Sequence, residues 1–442
     1  MRIAIVGAGT VGSHLAARLT DEGHSVLVLE VDPVAASELE KRVDCRVVVA
    51  NGASIQAQER AGVAAIDLLI AVTSSDAVNV LACGAAARLG VERRVARVQD
   101  PTLRDGLEAQ GVDIVIDPVE ALARQLVLLA RHSGVSEVRE FADGRIGLFG
   151  GRVQPDSPLD GITLRALRQR VTAWDWIVAA KVRDGATFIA RADTMVQAGD
   201  HVLVVASGNS SGEALRLMGV SEHPARRAVI LGATRLGVLT AEKFADAGIE
   251  TTLVDADSEA CRSLTKRRGR LEVICGDPTD TRVLEGAGVA KADVVLGLSG
   301  RDEINILGCL VAKGLGVPFA ISRFRRLEYV SLLAGHGIDT GVSSRLAAAN
   351  EILRLVRRGT IHSVTTFQDT EAEAIELQVG AASSAIGKTL TEVSLPKSAI
   401  VGGVIRADTA FIPHGSTVIE ASDRLIAIVL PEAVRSLEKL FA

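Results

Sequence analysis

Two glycine runs in this chain of 442 residues have the spacing that binds the pyrophosphate of a dinucleotide. The runs are Gly7-Ala8-Gly9-Thr10-Val11-Gly12 and Gly232-Ala233-Thr234-Arg235-Leu236-Gly237. In such a run the first glycine permits a tight turn, the second lets the backbone approach a phosphate, and the third lets a helix pack close to the preceding strand. The helix that follows then presents free N–H groups to an anion. Each run therefore predicts a phosphate-binding turn.

An acidic residue follows each glycine run at the same distance. Glu30 and Asp255 are offset by 225 residues, and so are Gly7 and Gly232. A carboxylate at this place accepts hydrogen bonds from the ribose hydroxyls of an adenosine and repels a 2′-phosphate, which favours NAD(H), ATP or ADP over NADP. One fingerprint alone is a weak signal, but two at one offset, each with its acid, predict two adenosine-nucleotide sites.

The second site departs from the fingerprint. Thr234 takes the place of the second glycine, and its Cβ would crowd the approach of a phosphate. Arg235 could compensate by pairing its guanidinium with that phosphate. We therefore expect the two sites to differ in ligand or affinity. A fold that has kept the motif without binding a ligand is the alternative for both halves.

Further polar residues are predicted to line the two sites because they end strands on the cofactor side of the sheet. They are Asn51, Thr73, Ser74 and Arg97 in the first half, and Asp277, Ser299 and Arg323 in the second. The arginines suit a phosphate, although they could equally be ordinary surface residues. The hydroxyls suit a crevice beside a ribose, and helix capping is the alternative. Asp277 could accept from the adenine amino group, or it could cap a helix, a role for which Ser54 and Thr279 compete.

The residues for catalysis are missing from the repeated motifs. The repeated motifs contain no Ser-His-Asp or Cys-His grouping. The sequence also lacks the P-loop lysine that is typical of proteins that hydrolyse ATP. We therefore predict no catalytic residues, no metal site and no enzymatic activity. The alternatives are a soluble NAD-dependent oxidoreductase with a duplicated fold, or a redox sensor that acts through a partner other than a transporter.

Around these residues the first half alternates strands with helices. Strands are predicted at 2–6, 25–30, 46–50, 67–72, 93–98 and 113–116, and helices at about 10–22, 33–42, 54–61, 76–89, 102–110 and 118–132. This alternation predicts an α/β fold with a six-stranded, doubly wound, Rossmann-like parallel sheet. The second half repeats the pattern at offsets of 225 and then 226 residues, so the chain carries two such sheets.

Each nucleotide fold is followed by a small α+β module with short alternating strands. The predicted domains are 1–134 and 226–359 for the Rossmann-like folds, and 135–220 and 360–442 for the modules. The architecture is therefore a tandem A-B-A′-B′ repeat. Glycines near 132–137 and 358–363 predict a hinge between each fold and its module.

Composition narrows the function further. Aromatic residues make up only 3% of the chain and the net charge is −5, which argues against recognition of nucleic acid. The five cysteines are scattered, which predicts neither disulfides nor a zinc site, and Cys275 and Cys309 are expected to be small apolar residues inside a strand and a helix. Met1-Arg2 leads straight into a strand, so we expect no signal peptide and no membrane span.

Over its whole length the chain resembles the TrkA family, the peripheral nucleotide-binding subunits of bacterial and archaeal Trk potassium-uptake systems. The resemblance is carried by the first glycine run with Glu30-Val31-Asp32, by Ala71-Val72-Thr73-Ser74-Ser75-Asp76 with Asn79, by Arg97, by Gly276-Asp277 with Thr279-Asp280, and by the two α+β modules. The chain departs from the family pattern at Thr234 and Gly52.

This resemblance implies two regulator-of-conductance domains that bind NAD(H), ATP or ADP. It also implies a cytoplasmic protein attached to the inner face of the membrane through an integral-membrane potassium transporter of the Trk type. The implied assembly is a homo-oligomeric ring, a homotetramer, that alters gating of the transporter when nucleotide exchanges.

Overall fold

A computed structural model of the chain describes residues 1–170, 175–220, 224–265, 271–325, 337–356, 361–367 and 370–442. The chain forms two compact units. One contains Met1–Ala121 with Ser344–Arg358, and the other contains Leu122–Ser343 with Gly359–Ala442. Within the described ranges, no helix is both long enough and apolar enough to cross a membrane.

The first nucleotide fold contains the predicted six-stranded parallel sheet. Its strands are β1 (Arg2–Val6), β2 (Ser25–Glu30), β3 (Arg46–Val49), β4 (Leu68–Ala71), β5 (Arg93–Arg97) and β6 (Ile114–Ile116), in the order β3-β2-β1-β4-β5-β6. The helices are α1 (Thr10–Asp21), α2 (Pro33–Arg42), α3 (Ile55–Ala61) and α4 (Asp76–Arg88). Helix α5 (Pro118–Arg131) follows β6 in sequence, and from Leu122 onward it belongs to the other compact unit. The doubly wound topology places the carboxyl ends of β1 and β4 side by side, where a ligand crevice is expected.

The apolar run of β1 is explained by burial on both faces of the sheet. Ile3 and Ile5 pack into a core with α1, whereas Ala4 and Val6 pack into a second core on the opposite face. A strand covered on both sides reads as a continuous apolar run, because successive side chains point to opposite faces.

The helix predicted at 102–110 is wrong. Two short 3₁₀ turns stand there instead, Pro101–Leu103 and Glu108–Gln110. Gly106 between them has a φ of +75°, a left-handed conformation that interrupts a helix.

The second nucleotide fold repeats the first. Its strands are β14 (Arg227–Leu231), β15 (Glu250–Asp255), β16 (Glu272–Cys275), β17 (Val294–Gly297), β18 (Phe319–Arg323) and β19 (Thr340–Val342), in the order β16-β15-β14-β17-β18-β19. The helices described here are α8 (Arg235–Asp246), α9 (Ser258–Thr265), α10 (Thr281–Gly286), α11 (Asp302–Gly314) and α12 (Ser344–Val356). The two sheets therefore share one strand order, as the repeat predicts.

Helix α12 follows the second fold in sequence but packs on the first. It buries Ala348, Ala349, Ile352, Leu353 and Val356 in the core that contains α1. These positions lie on one face of the helix, so this apolar face must be buried against another apolar surface. The four predicted domain bounds remain a prediction.

The two modules contain antiparallel sheets, with short helices beside them. The first module has β7 (Glu137–Phe141), β8 (Ile146–Arg152), β9 (Ile162–Thr163), α6 (Leu164–Arg170), β10 (Trp176–Arg183), β11 (Ala186–Ile189), β12 (Met195–Val196), β13 (His201–Ser207) and α7 (Ser211–Leu217). The second has β20 (Ile361–Thr366), β21 (Glu373–Gln378), β22 (Ala399–Arg406), β23 (Thr409–Phe411), β24 (Arg424–Val429) and α13 (Val434–Phe441). The sheet orders are β11-β10-β13-β8-β7 and β20-β21-β24-β22-β23, and β9 pairs with β12 in a separate ribbon.

The two module sheets face one another across a shared apolar core. Leu148 and Val205 of the first sheet pack there with Ile426 and Ile428 of the second. A Cβ on Gly402 would lie 2.9 Å from a methyl group of Val205, so glycine allows the strands to approach closely. The modules therefore stabilise one another through this face.

An ion pair recurs in both modules. Arg183 donates two hydrogen bonds to the buried carboxylate of Asp200, at 2.5 and 2.6 Å. Arg406 binds the buried Asp423 in the same way, with both hydrogen bonds at 2.8 Å. In each module a bidentate arginine thus compensates the negative charge of the buried carboxylate.

The predicted hinges are only partly described. The first, at 132–137, contains Gly134 with a φ of +101°. The second, at 358–363, lies partly outside the described residues. Hinge motion at these points remains a prediction.

Candidate functional site

The first glycine run forms a turn with one open position. Gly7 has a φ of +103°, and a Cβ on Gly12 would lie 1.8 Å from the carbonyl oxygen of Gly7. Both glycines are therefore required by the backbone. A Cβ on Gly9, by contrast, would meet no atom within 4 Å. Gly9 is also the N-cap of α1 and has no side chain to cap it, so the first N–H groups of the helix face this open space.

Glu30 supports the same turn. Its Oε2 accepts a hydrogen bond from the N–H of Ala8 at 2.5 Å, while Oε1 accepts from Val31 at 2.7 Å and Asp32 at 2.9 Å. A carboxylate has about four lone-pair sites, so these three bonds leave capacity for one more donor. The arrangement holds the carboxylate beside the glycine turn, where the predicted ribose contact requires it.

Asn79 lies at the crevice, although the sequence analysis did not assign it to the site. It is completely buried, and its Oδ1 accepts from the N–H and the hydroxyl of Thr73 at 2.8 and 2.7 Å. Its Nδ2 donates to the carbonyl of Arg97 at 2.8 Å. Asn79 thus joins the ends of β4 and β5 at the crevice. The repeated spacing Asp-x-x-Asn, at 76–79 and 302–305, was the available signal.

The hydroxyls at the end of β4 do not cap the next helix. Ser75 is the N-cap of α4, and its Oγ accepts from the N–H of Val78 at 3.4 Å. The capping interpretation of Thr73 and Ser74 is therefore wrong. Thr73 lies against Gly7, because a Cβ on that glycine would come within 3.1 Å of it. A ligand role for Thr73 and Ser74 remains a prediction.

Arg97 places a cation at the same edge of the sheet. It is half-buried at the end of β5, and its Nε is buried without a hydrogen-bond partner among the described residues. Burial lowers the pKa of Arg97, and the negative charge of Asp76 opposes that shift. The carboxylate of Asp76 already accepts from the N–H groups of Gln99 and Asp100, both at 2.8 Å. A phosphate is the kind of group that suits such a guanidinium.

The end of β3 holds the remaining predicted residue of the first site. Asn51 is exposed, and its Oδ1 accepts from the N–H of Ala53 at 3.0 Å, which forms a local turn. A Cβ on Gly52 would lie 2.2 Å from a methyl group of Val6, so packing explains the glycine there. Ser54 is the N-cap of α3, as predicted.

The second glycine run has the same backbone but a different helix start. Gly232 has a φ of +121°, and a Cβ on Gly237 would lie 2.0 Å from the carbonyl oxygen of Gly232. Thr234 is the N-cap of α8, and its hydroxyl accepts from the N–H of Gly237 at 3.2 Å and donates to Leu298 at 2.8 Å. The hydroxyl of Thr234 is therefore hydrogen-bonded to a helix N–H group. The equivalent N–H group of the first site faces open space.

The remaining second-site contacts mirror those of the first. Asp255 accepts from the N–H of Ala233 at 2.5 Å, as Glu30 does from Ala8. Asn305 is completely buried, and it accepts from the N–H of Ser299 at 2.7 Å and donates to the carbonyl of Arg323 at 3.1 Å. Thus Asp255, Ser299 and Arg323 lie at one edge of the second sheet.

Two predicted residues of the second site lie at its margin. Arg235 is exposed at the first position of α8. Asp277 accepts from the N–H and the hydroxyl of Thr279, at 2.8 and 2.7 Å, and these bonds lower its pKa. Asp280, not Asp277 or Thr279, is the N-cap of α10, so the capping alternative is wrong. An adenine contact by Asp277 remains a prediction.

One cavity of the second nucleotide fold lies away from the nucleotide crevice. It measures about 810 Å³ and is lined by Arg227, Glu250 and Glu272, which begin their strands. Parallel sheets of this topology bind ligands at the carboxyl ends of the strands, the opposite edge. In the part of the chain that the structure describes, no group of three His, Cys, Asp or Glu side chains is placed to hold a metal ion.

The chain is similar to known proteins over its full length. Residues 3–118 and 228–344 match the TrkA-N domain, and residues 152–219 and 374–442 match the TrkA-C domain. A Trk system potassium uptake protein TrkA homolog of Archaeoglobus fulgidus is 32% identical over 446 residues, covering 100% of both chains.

Solved structures share the fold. A GsuK channel bound to NAD has a TM-score of 0.59 at 19% identity, covering 100% of this chain and 78% of that one. A GsuK bound to ADP has a TM-score of 0.51 at 18% identity, covering 80% of this chain and 69% of that one.

Proposed function

This chain belongs to the TrkA family, whose TrkA-N and TrkA-C domains it carries in tandem, and on that premise we propose that it is a nucleotide-binding subunit that regulates potassium uptake. The observation that carries the proposal is the open, uncapped turn at Gly9 beside the carboxylate of Glu30. This turn offers N–H donors to phosphates and a carboxylate to a ribose.

The ligands of the first site are NAD(H), ATP or ADP. Glu30 disfavours NADP because its charge opposes a 2′-phosphate. Arg97, with a buried Nε that lacks a hydrogen-bond partner in the described residues, supplies the cation for a phosphate. Of the two solved GsuK structures that share the fold, one is bound to NAD and the other to ADP, which supports the choice of ligand class.

The second site binds a nucleotide through Asp255, Ser299 and Arg323, with Arg235 compensating for Thr234. Because the hydroxyl of Thr234 already takes the N–H of Gly237, this site holds a phosphate less tightly than the first. Asn51, Thr73, Ser74 and Asp277 complete the two sites. The protein can then respond to two nucleotide states at once.

The partner is an integral-membrane potassium transporter of the Trk type. The name of the relative from Archaeoglobus fulgidus supports this choice. The protein is cytoplasmic, binds the inner face of the membrane through that partner, and assembles as a homotetrameric ring, since closed symmetry satisfies repeated pairing surfaces. It does not bind nucleic acid.

Regulation requires no chemical turnover. A nucleotide can shift the transporter only through a difference in its affinity for two conformations of the ring, and a coupling of about 1–3 kcal/mol is typical. The site residues bind and orient a ligand. In this proposal the protein is a regulator that acts through binding, and no residue of the two sites has a catalytic role.

The decisive experiment is potassium flux through a reconstituted Trk-type transporter with this protein added. Flux is compared with ATP, ADP, NAD and NADH, for the wild type and for Glu30→Ala. We expect flux to differ between nucleotides for the wild type, and the difference to shrink in the variant. Equal flux and equal transporter binding under all four nucleotides, unchanged by Glu30→Ala, would overturn the proposal. Oxidation of NADH by the protein with a small-molecule substrate would favour an oxidoreductase instead.

A further inference from the structure

An arginine from the second half of the chain reaches the first glycine turn. The Nη1 of Arg345 donates to the hydroxyl of Thr10 at 2.8 Å. Thr10 is the first residue of α1 and follows Gly9 directly, while Arg345 is the second residue of α12. The guanidinium therefore lies beside the turn that the proposed function assigns to phosphates.

Packing fixes the position of this arginine. Helix α12 buries Ile352 and Leu353 in the core that also contains Leu15 and Leu19 of α1. At its other end, Arg93 donates to the carbonyl of Leu355 at 2.7 Å. Since α12 is anchored along its length, its first turn is held next to the first turn of α1. Two helix N-termini, each with a partial positive charge, thus lie together.

Electrostatics point to an anionic ligand at this place. Burial lowers the pKa of Arg97, and the charge of Arg345 lowers it further, so the two cations are close enough to repel each other. Asp76, which opposes that shift, already accepts two backbone N–H groups. The Oγ of Ser344 is buried without a hydrogen-bond partner among the described residues. A polyanion between the arginines would relieve the repulsion.

We propose that Arg345 is a phosphate-binding residue of the first nucleotide site, supplied by the second half of the chain, and that it favours ADP and ATP over NAD. The inference rests on the proposed function, which makes the first turn a nucleotide site. A terminal phosphate carries more charge and more free oxygens than the bridged pyrophosphate of NAD, so it gains more from a second guanidinium. Nucleotide bound there would contact α12 directly.

The sequence repeat makes this feature specific to one site. The position that corresponds to Arg345 in the first half is Val119, at the offset of 226 residues. Valine offers neither charge nor hydrogen-bond donor. We therefore expect only one of the two sites to prefer a ligand with a terminal phosphate. Mutation of Arg345 should remove that preference at this site and leave the other site unchanged.

The test is calorimetric titration of the full chain with adenosine, NAD, ADP and ATP, each with wild type, Arg345→Ala and Arg345→Lys. We expect Arg345→Ala to weaken ADP and ATP binding at one site roughly 10- to 100-fold, as for a charged hydrogen bond, and NAD much less. Adenosine, which has no phosphate, should bind unchanged. The lysine variant should recover part of the loss, because it keeps the charge without the planar fork.

Arg60→Ala is the matched control, because Arg60 is exposed at the end of α3 and also loses one positive charge. It should leave all four titrations unchanged. If wild type binds ADP and Arg345→Ala binds it equally well, the inference fails and the proposed function stands. If Arg345→Ala weakens adenosine and ADP by the same factor, Arg345 is structural and the inference fails. If wild type binds none of the four ligands, the proposed function itself fails.

Discussion

The side-chain amide of Asn79 donates a hydrogen bond to the backbone carbonyl of Arg97, 2.8 Å away, and so ties β4 to β5 at the edge of the nucleotide crevice. The same relationship recurs between Asn305 and Arg323 at 3.1 Å. Both asparagines are completely buried. A buried amide with every polar atom occupied fixes the backbone around it, because moving that backbone would leave its partners unsatisfied.

Replacing Asn79 with alanine should therefore destabilise the first nucleotide fold. The N–H of Thr73 and the carbonyl of Arg97 would each lose a buried partner. We expect a loss of about 2–4 kcal/mol in the free energy of unfolding, measured by urea denaturation. Asn209→Ala is the control, because Asn209 is exposed, and it should change the free energy by less than about 0.5 kcal/mol. Equal effects of the two variants would contradict this role for Asn79.

Glu30 should contribute to nucleotide affinity through a charged hydrogen bond. Glu30→Ala is expected to weaken binding of NAD or ADP at the first site by about 1.5–3 kcal/mol, measured by calorimetry. Gly9→Val should block the approach of the phosphate to the glycine turn, because the valine side chain would fill the space that is open beside Gly9. Glu59→Ala, on the exposed surface of α3, is the control. Unchanged affinity in both Glu30→Ala and Gly9→Val would refute the site.

Local pattern was enough to predict the two sheets and their glycine turns. Strands of β-branched and aliphatic residues, followed by Gly7 or Gly232, are encoded within a few neighbouring residues. The helix predicted at 102–110 was wrong because Gly106 adopts a left-handed conformation that the apolar spacing does not reveal. Cys275 lies in a strand, as predicted, but it is exposed at the last position of β16. Cys309 is buried, as predicted.

The contacts of α12 could not be predicted from the sequence. The apolar face of this helix predicts that the face is buried, but it does not indicate which of the two nucleotide folds buries it. The pairing of Arg345 with Thr10 spans 335 positions in sequence. The role of Asn79 could not be predicted for a related reason: Asn79 lies in the first turn of α4, and whether an asparagine there is buried depends on tertiary packing.

Acid should weaken the first module through Asp200. Burial raises the pKa of Asp200, but hydrogen bonds from Arg183 and from the N–H of Gln197 outweigh that effect and hold the pKa below its usual value. A depressed pKa in the folded state means stability that is present above the unfolded pKa of about 3.9 and is lost as pH falls through the folded value.

Asp200→Asn should therefore be less stable than wild type at pH 7, by about 1–3 kcal/mol after allowance for the partly exposed Arg183. The difference should shrink as the pH falls below about 5, because only the wild type then loses a charge. Urea denaturation at pH 7, 5 and 3.5 measures both. A difference that is constant over this range would exclude titration of Asp200 as its cause.

The cysteines should differ widely in reactivity, because the thiolate is the reactive form. Burial raises the pKa of Cys83 and Cys309 to about 12 each, whereas Cys275 is exposed. N-ethylmaleimide at pH 8, with readout by peptide mass spectrometry, should label Cys275 first and the two buried thiols only after unfolding in urea. Labelling of Cys83 at the rate of Cys275 in the folded protein would contradict the described burial.

The difference between the two nucleotide sites should follow one residue, Thr234 against Gly9. The hydroxyl of Thr234 takes the N–H of Gly237, whereas the N-cap Gly9 has no side chain that could do so. Thr234→Gly should therefore tighten phosphate binding at the second site, and Gly9→Thr should weaken it at the first. Each change is expected to be about 1 kcal/mol or more, because an N-cap bond of that size competes with the ligand.

Titration with ADP and NAD can follow both sites if wild type gives two binding steps. The exposed Cys275 adds an independent probe, because it is the register partner of Asp255 and nucleotide at the second site should slow its alkylation. Thr234→Gly should strengthen that protection at a fixed ADP concentration, while Gly9→Thr should leave it unchanged. Two indistinguishable steps in the wild type, or protection of Cys275 that ignores Thr234→Gly, would show that the threonine does not set the difference between the sites.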